Sequence, residues 1–140
     1  MRAVVIYESL TGNTRKAAGI IGGLLQAEGV TTTVCPTTAV DFQAVADCDL
    51  VLVGSWTDGL FIVGQKPARA GRLSQLPIVT GKRCAGFCTY ALDAGKTLDK
   101  LSDIMRERGA DVIGGMAIRR NDIDGGSREF VDRLLGAVAP

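Results

Sequence analysis

Ser9-Leu10-Thr11-Gly12-Asn13-Thr14 is where this chain concentrates groups that can do chemistry. Four hydroxyl or amide side chains and one Gly fill six residues between the apolar run Ala3-Val4-Val5-Ile6-Tyr7 and a helical pattern. A loop of that composition, opening a helix, offers backbone N–H groups, hydroxyl donors and the positive end of the helix to one anion. No Lys or Arg lies inside it. Neutral donors of this kind suit a small phosphorylated cofactor better than a nucleoside triphosphate.

The chain has no His. That excludes Ser-His-Asp and Cys-His nucleophilic sites, His metal sites and His acid/base work. The chemistry has to come from Asp, Glu, Tyr or Cys, or from a bound cofactor. The four cysteines, Cys35, Cys48, Cys84 and Cys88, form no Cys-x-x-Cys pair, so no zinc set is expected. They read as small core residues in a reducing compartment, with a redox role for Cys88 at a strand end as the alternative. Asn121-Asp122-Ile123-Asp124-Gly125 lacks the terminal Glu of a calcium loop and reads as a solvated turn.

The elements that must position these residues alternate regularly. Residues 3–7, 30–35, 50–53, 84–89 and 112–118 are short apolar runs that read as strands, the last interrupted by Gly114-Gly115. Residues 13–28 carry Ala17, Ile20, Ile21, Leu24 and Leu25 on one helical face, and Gly29 stops that helix. Asp41 caps a short helix bearing Phe42 and Val45. Pro67 suits the first turn of a weaker helix with Ala68, Ala70 and Leu73. A further helix spans residues 94–108, closed by Gly109, and Ser127 starts the last one, which buries Phe130, Val131, Leu134, Leu135 and Val138.

Strands alternating with helices specify an α/β fold: a three-layer, doubly wound, five-stranded parallel sheet covered on both faces. The ligand of such a sheet sits beyond the carboxyl ends of the strands. Three loops of unusual composition leave those ends, at residues 8–14, 54–66 and 89–95. At 140 residues with 46% hydrophobic content, the chain reads as one domain spanning residues 1–140, with enough apolar surface for a core. A net charge of +1 gives no sign of nucleic acid as a partner. No apolar run approaches ~18 residues, so no membrane span is expected, and a cytoplasmic location follows from the missing signal pattern.

The first loop resembles the phosphate-binding loop of flavodoxins, Ser/Thr-x-Thr-Gly-x-Thr. Here it reads Ser9-x-Thr11-Gly12-x-Thr14, a complete match. The resemblance extends over the whole chain in length and order of elements. It implies the flavodoxin-like strand order 2-1-3-4-5 and FMN as the cofactor. It also implies that Ser9, Leu10, Thr11, Gly12, Asn13 and Thr14 hold the phosphate. In the second loop, Gly54-Ser55-Trp56-Thr57-Asp58-Gly59, the resemblance puts Ser55, Trp56, Thr57, Asp58 and Gly59 at the flavin. Trp56, the single Trp, either flanks the isoalloxazine ring or anchors the loop on the sheet edge. Asp58-Gly59 reads as a turn. The resemblance makes its peptide the acceptor of the proton on flavin N5 in the half-reduced state. In the third loop, Thr89, Tyr90, Ala91 and Leu92 serve the pyrimidine edge through their backbone. Tyr90 is either the outer aromatic or a strand-end core residue.

Two features depart from the family. Flavodoxins are commonly acidic, whereas Arg15, Lys16, Arg119 and Arg120 stand beside these loops. Leu60-Phe61-Ile62-Val63 is apolar where many members are acidic, and it reads as a flavin lid or as a homodimer or partner surface. The function implied is electron transfer between redox partner proteins. The alternative is a flavodoxin-fold FMN-dependent oxidoreductase acting on a quinone or porphyrinogen-type substrate. A weaker option is an interaction module that no longer binds flavin. A receiver domain is excluded, because the third strand ends Val53-Gly54 where a phosphorylatable Asp belongs. The P-loop and dinucleotide-binding glycine spacings do not occur either.

Overall fold

β1 (Arg2–Tyr7) is a run of β-branched residues, and Val4, Val5 and Ile6 are at most 1% exposed, so the strand is buried on both faces. The computed structural model describes residues 1–9, 12–60, 63–67, 77 and 79–138, with backbone alone at 58–60 and 63–67. After β1 come α1 (Asn13–Ala27), β2 (Thr31–Pro36), a 3-10 turn (Thr37–Ala39) and α2 (Phe42–Asp47). Then follow β3 (Leu50–Leu60), β4 (Val63–Pro67), β5 (Arg83–Tyr90), α3 (Thr97–Glu107), β6 (Asp111–Arg119) and α4 (Ile123–Val138).

The five principal strands are parallel, in the order β2-β1-β3-β5-β6. With the hairpin strand β4 set aside, this is the expected 2-1-3-4-5 order. Strand alternation divides the core. Val5, Leu50, Leu52 and Phe87 meet Ile21 and Leu25 of α1 and Phe130 and Leu134 of α4. Val4, Ile6, Val51 and Val53 meet Val45 of α2 and Leu101 and Met105 of α3. The expected cap at α2 is present, with the Ala44 N–H donating to Asp41 Oδ1 at 3.0 Å.

Several boundaries differ from the sequence reading. The segment expected to loop out after Val53 stays extended. β3 runs to Leu60 and turns back as a hairpin with β4, pairing Thr57 with Pro67, Asp58 with Lys66 and Leu60 with Val63. Asp58-Gly59 is therefore not a turn: the ladder shifts register between Asp58 and Leu60, as at a β-bulge, where Gly is at home. Pro67 ends β4, an edge strand that tolerates a missing N–H. The helix expected through Ala68, Ala70 and Leu73 lies outside the described residues.

Thr89 and Tyr90 belong to β5, so the third loop begins at Ala91. α3 starts at Thr97, three residues later than expected, after a turn in which Asp93 Oδ1 accepts from the Gly95 N–H at 3.0 Å. Gly114-Gly115 does not interrupt β6. A register shift against β5 between Cys84 and Ala85 absorbs one residue there. α4 starts at Ile123, because Asp122 Oδ1 accepts from the Gly125 N–H at 3.2 Å. Ser127 thus lies buried inside the helix.

Candidate functional site

The first loop is tied to the sheet at its root, where the Glu8 N–H donates to Gly54 O at 2.9 Å. Gly12 then takes φ +96°, a left-handed turn that residues with a Cβ disfavour, and this turn starts α1 at Asn13. Ser9 Oγ accepts from the Gly12 N–H at 3.2 Å and from the Arg15 N–H at 3.3 Å. Backbone donors of the loop and of the first helical turn therefore converge on one oxygen, as an anion site requires. Leu10 and Thr11 lie outside the described residues.

Thr14 points inward. It is 1% exposed, and its Oγ1 is 2.9 Å from Oγ1 of Thr89, itself 2% exposed. This hydroxyl pair joins the first turn of α1 to the end of β5. Among the described residues, Asn13, Trp56, Thr57, Thr89, Tyr90, Ala91 and Arg120 line a cleft of about 150 Å³ beside it. The pleat explains the two aromatics. Trp56 continues the Leu50–Leu52 side of β3, packed by α1 and α4, whereas Tyr90 continues the Cys84–Cys88 side of β5. Aromatic surfaces from both faces of the sheet thus meet one cleft beyond the strand ends. The Arg119 guanidinium lies 5.6 Å from the Tyr90 ring centroid, and the Arg120 N–H donates to Tyr90 O at 2.8 Å.

Not every expected residue reaches this cleft. Ser55 is buried in the sheet, its hydroxyl donating to Trp56 O at 3.3 Å. Leu92 is 68% exposed and outside the lining. The side chain of Asp58 and the surroundings of Gly59 lie outside what is described, as do Phe61 and Ile62. Gly54 has a packing role. A Cβ there would sit 2.1 Å from Phe87 Cζ, so the ring lies directly against the strand that carries Trp56.

Sequence reasoning missed two residues. Glu8 is 3% exposed, and its carboxylate accepts from the Thr37 hydroxyl, which locks the loop root to the turn after β2. Its only sequence signal is a carboxylate directly before Ser9. Arg120 was legible as a charge but not as part of the cleft. The cysteines are all free and buried. Burial pushes the thiols of Cys84 and Cys88 up to about 12, against which the Thr57 hydroxyl lowers Cys88 only in part. Cys88 is accordingly a core residue with no thiolate at neutral pH, and its redox alternative falls. No group of three or more His, Cys, Asp or Glu among the described residues could hold a metal. No described helix is long and apolar enough to cross a membrane.

A family model described as a flavodoxin domain matches residues 4–114. The chain belongs to the flavodoxin family. Members of this family bind FMN. Among solved structures, the two-electron reduced flavodoxin of Megasphaera elsdenii is 23% identical with a TM-score of 0.76, the match covering 93% of this chain and 96% of that one. Oxidised flavodoxin 1 from Bacillus cereus is 22% identical with a TM-score of 0.66, covering 94% and 98%. The rubredoxin:oxygen oxidoreductase of Desulfovibrio gigas is 18% identical with a TM-score of 0.70, and the match covers 99% of this flavodoxin but 37% of that chain. No curated protein matches in sequence. The residues present fit the cofactor: converging N–H groups at the start of α1 suit a phosphate, and the cleft between Trp56 and Tyr90 suits a flat ring.

Proposed function

We propose that this flavodoxin is an electron carrier that holds FMN at the carboxyl ends of its strands and exchanges electrons with redox partner proteins. One observation carries the reading: the donors that converge at Ser9 lie at the start of the same helix whose Asn13 lines the cleft with Trp56 and Tyr90. Bound FMN supplies the redox chemistry; the protein supplies binding, orientation and electrostatics. Ser9, Leu10, Thr11, Gly12, Asn13 and Thr14 take the phosphate. Trp56 and Tyr90 flank the ring, and the backbone from Thr89 to Leu92 reads its pyrimidine edge. The peptide between Asp58 and Gly59 lies where the β3–β4 ladder shifts register, which supports a carbonyl free to turn toward the ring. The apolar composition of Leu60-Phe61-Ile62-Val63 supports contact with a second copy or a partner through that segment.

The alternative, an FMN-dependent oxidoreductase for a quinone or porphyrinogen-type substrate, draws support from the hairpin itself. It extends the sheet past Trp56 and can wall a substrate pocket. Stepwise reduction of the FMN-loaded protein separates the readings. A carrier accumulates a blue one-electron-reduced form, and Gly59→Ala lowers its yield. Reduction straight to the two-electron state, with rapid quinone turnover, would establish the oxidoreductase instead.

A further inference from the structure

Among the described residues, Arg120 is the one charged residue that lines the cleft between Trp56 and Tyr90. Its position is set by the fold. β6 ends at Arg119, and the Arg120 N–H donates to Tyr90 O at 2.8 Å, which fixes the backbone of the arginine against the end of β5. Among the described residues no carboxylate pairs with it. Its neighbour Arg119 is turned to the Tyr90 ring, 5.6 Å from guanidinium to centroid.

We propose that Arg120 is a tuning residue for the bound flavin: its guanidinium favours the reduced ring over the oxidised one. The proposal rests on the FMN reading above. Two electrons from a donor and one proton from solvent leave the isoalloxazine with one more negative charge than the oxidised ring carries. A cation at the rim of the same cleft interacts with that charge and only weakly with the neutral oxidised ring. The side chain is exposed, so solvent and salt reduce the effect without abolishing it. The consequence is a flavin more easily reduced to the two-electron state than in the same cleft without the charge.

The test compares wild type, Arg120→Gln, Arg120→Lys and Arg2→Gln, each loaded with FMN. Arg2 opens β1 at the amino end of the sheet and is exposed, so Arg2→Gln removes the same unit charge away from the cleft. Affinities of the apoproteins for oxidised FMN and for dithionite-reduced FMN are measured, together with the two-electron midpoint potential. Arg120→Gln is expected to lower the reduced-to-oxidised affinity ratio about tenfold, which equals a midpoint roughly 30 mV more negative. Arg120→Lys retains most of the wild-type ratio, Arg2→Gln leaves it within about twofold, and the Arg120→Gln effect shrinks as salt is raised. An unchanged ratio in Arg120→Gln overturns the proposal, and so does an equal fall in Arg2→Gln, which would trace the effect to net charge. Failure of wild type to bind FMN in either redox state instead overturns the FMN reading itself.

Discussion

Replacing Thr14 by Val leaves the Thr89 hydroxyl buried with nothing to bond. The two oxygens are 2.9 Å apart and the residues are 1% and 2% exposed, so water does not substitute for the lost partner. An orphaned buried hydroxyl costs about 1–3 kcal/mol, whereas removing both partners for groups of the same shape is nearly neutral. Thr14→Val and Thr89→Val are each expected to destabilise the apoprotein by about 1–3 kcal/mol, and the double variant by less than either. With a urea slope of roughly 2 kcal/mol per molar, each single variant lowers the unfolding midpoint by about 0.5–1.5 M. Trp56 fluorescence follows the transition.

FMN then distinguishes the two threonines. If Thr14 donates to the phosphate while accepting from Thr89, a charged acceptor makes that bond worth about 1.5–3 kcal/mol. Thr14→Val should weaken FMN at least tenfold and riboflavin, which lacks the phosphate, much less. In Thr89→Val the phosphate supplies the partner that Thr14 has lost, so FMN restores most of the stability; in Thr14→Val it does not. A double variant as unstable as the sum of the singles would refute the coupling. Equal losses for FMN and riboflavin would place the phosphate elsewhere.

Trp56→Ala should cost on the order of 1–3 kcal/mol of FMN affinity, and titrating wild-type apoprotein with FMN should quench Trp56 emission; an unchanged spectrum argues against contact. Gly54→Ala drives a Cβ to 2.1 Å from Phe87 Cζ in a ring that is 0% exposed, and should destabilise by about 1–3 kcal/mol or more, with partial rescue by Phe87→Leu in urea unfolding. The raised thiols set an alkaline limit. Cys84 and Cys88 stay protonated in the native state up to about 12, while the unfolded chain ionises them from about 9, so their contribution is complete below pH 9. It falls as pH rises from there toward 12, by up to about 1.4 kcal/mol per pH unit for each thiol. Urea midpoints at pH 8 and pH 10.5 should therefore differ less in Cys84→Ala than in wild type.

What the amino-acid sequence determined by itself is local in origin. β1, α1 and the Asp41 cap follow from β-branched runs, helical periodicity and a carboxylate three residues before the N–H it accepts from. The loop from Ser9 to Thr14 was legible for the same reason. Its donors, its glycine and its helix start are consecutive residues, and Ser9 Oγ reaches the N–H groups of Gly12 and Arg15 within one turn.

Tertiary structure decided what depends on residues far apart in the chain. The Asp58-Gly59 turn signal lost to pairing with β4, because a ladder of interstrand hydrogen bonds outweighs a two-residue preference. The Thr14–Thr89 bond spans 75 positions, and the Glu8–Thr37 bond spans 29. The ring of Phe87 against Gly54, and Arg120 in the same cleft as Trp56, depend on β3, β5 and β6 lying side by side. No local pattern encodes such pairs, because each side chain finds its partner only after the sheet has set the strand order and register.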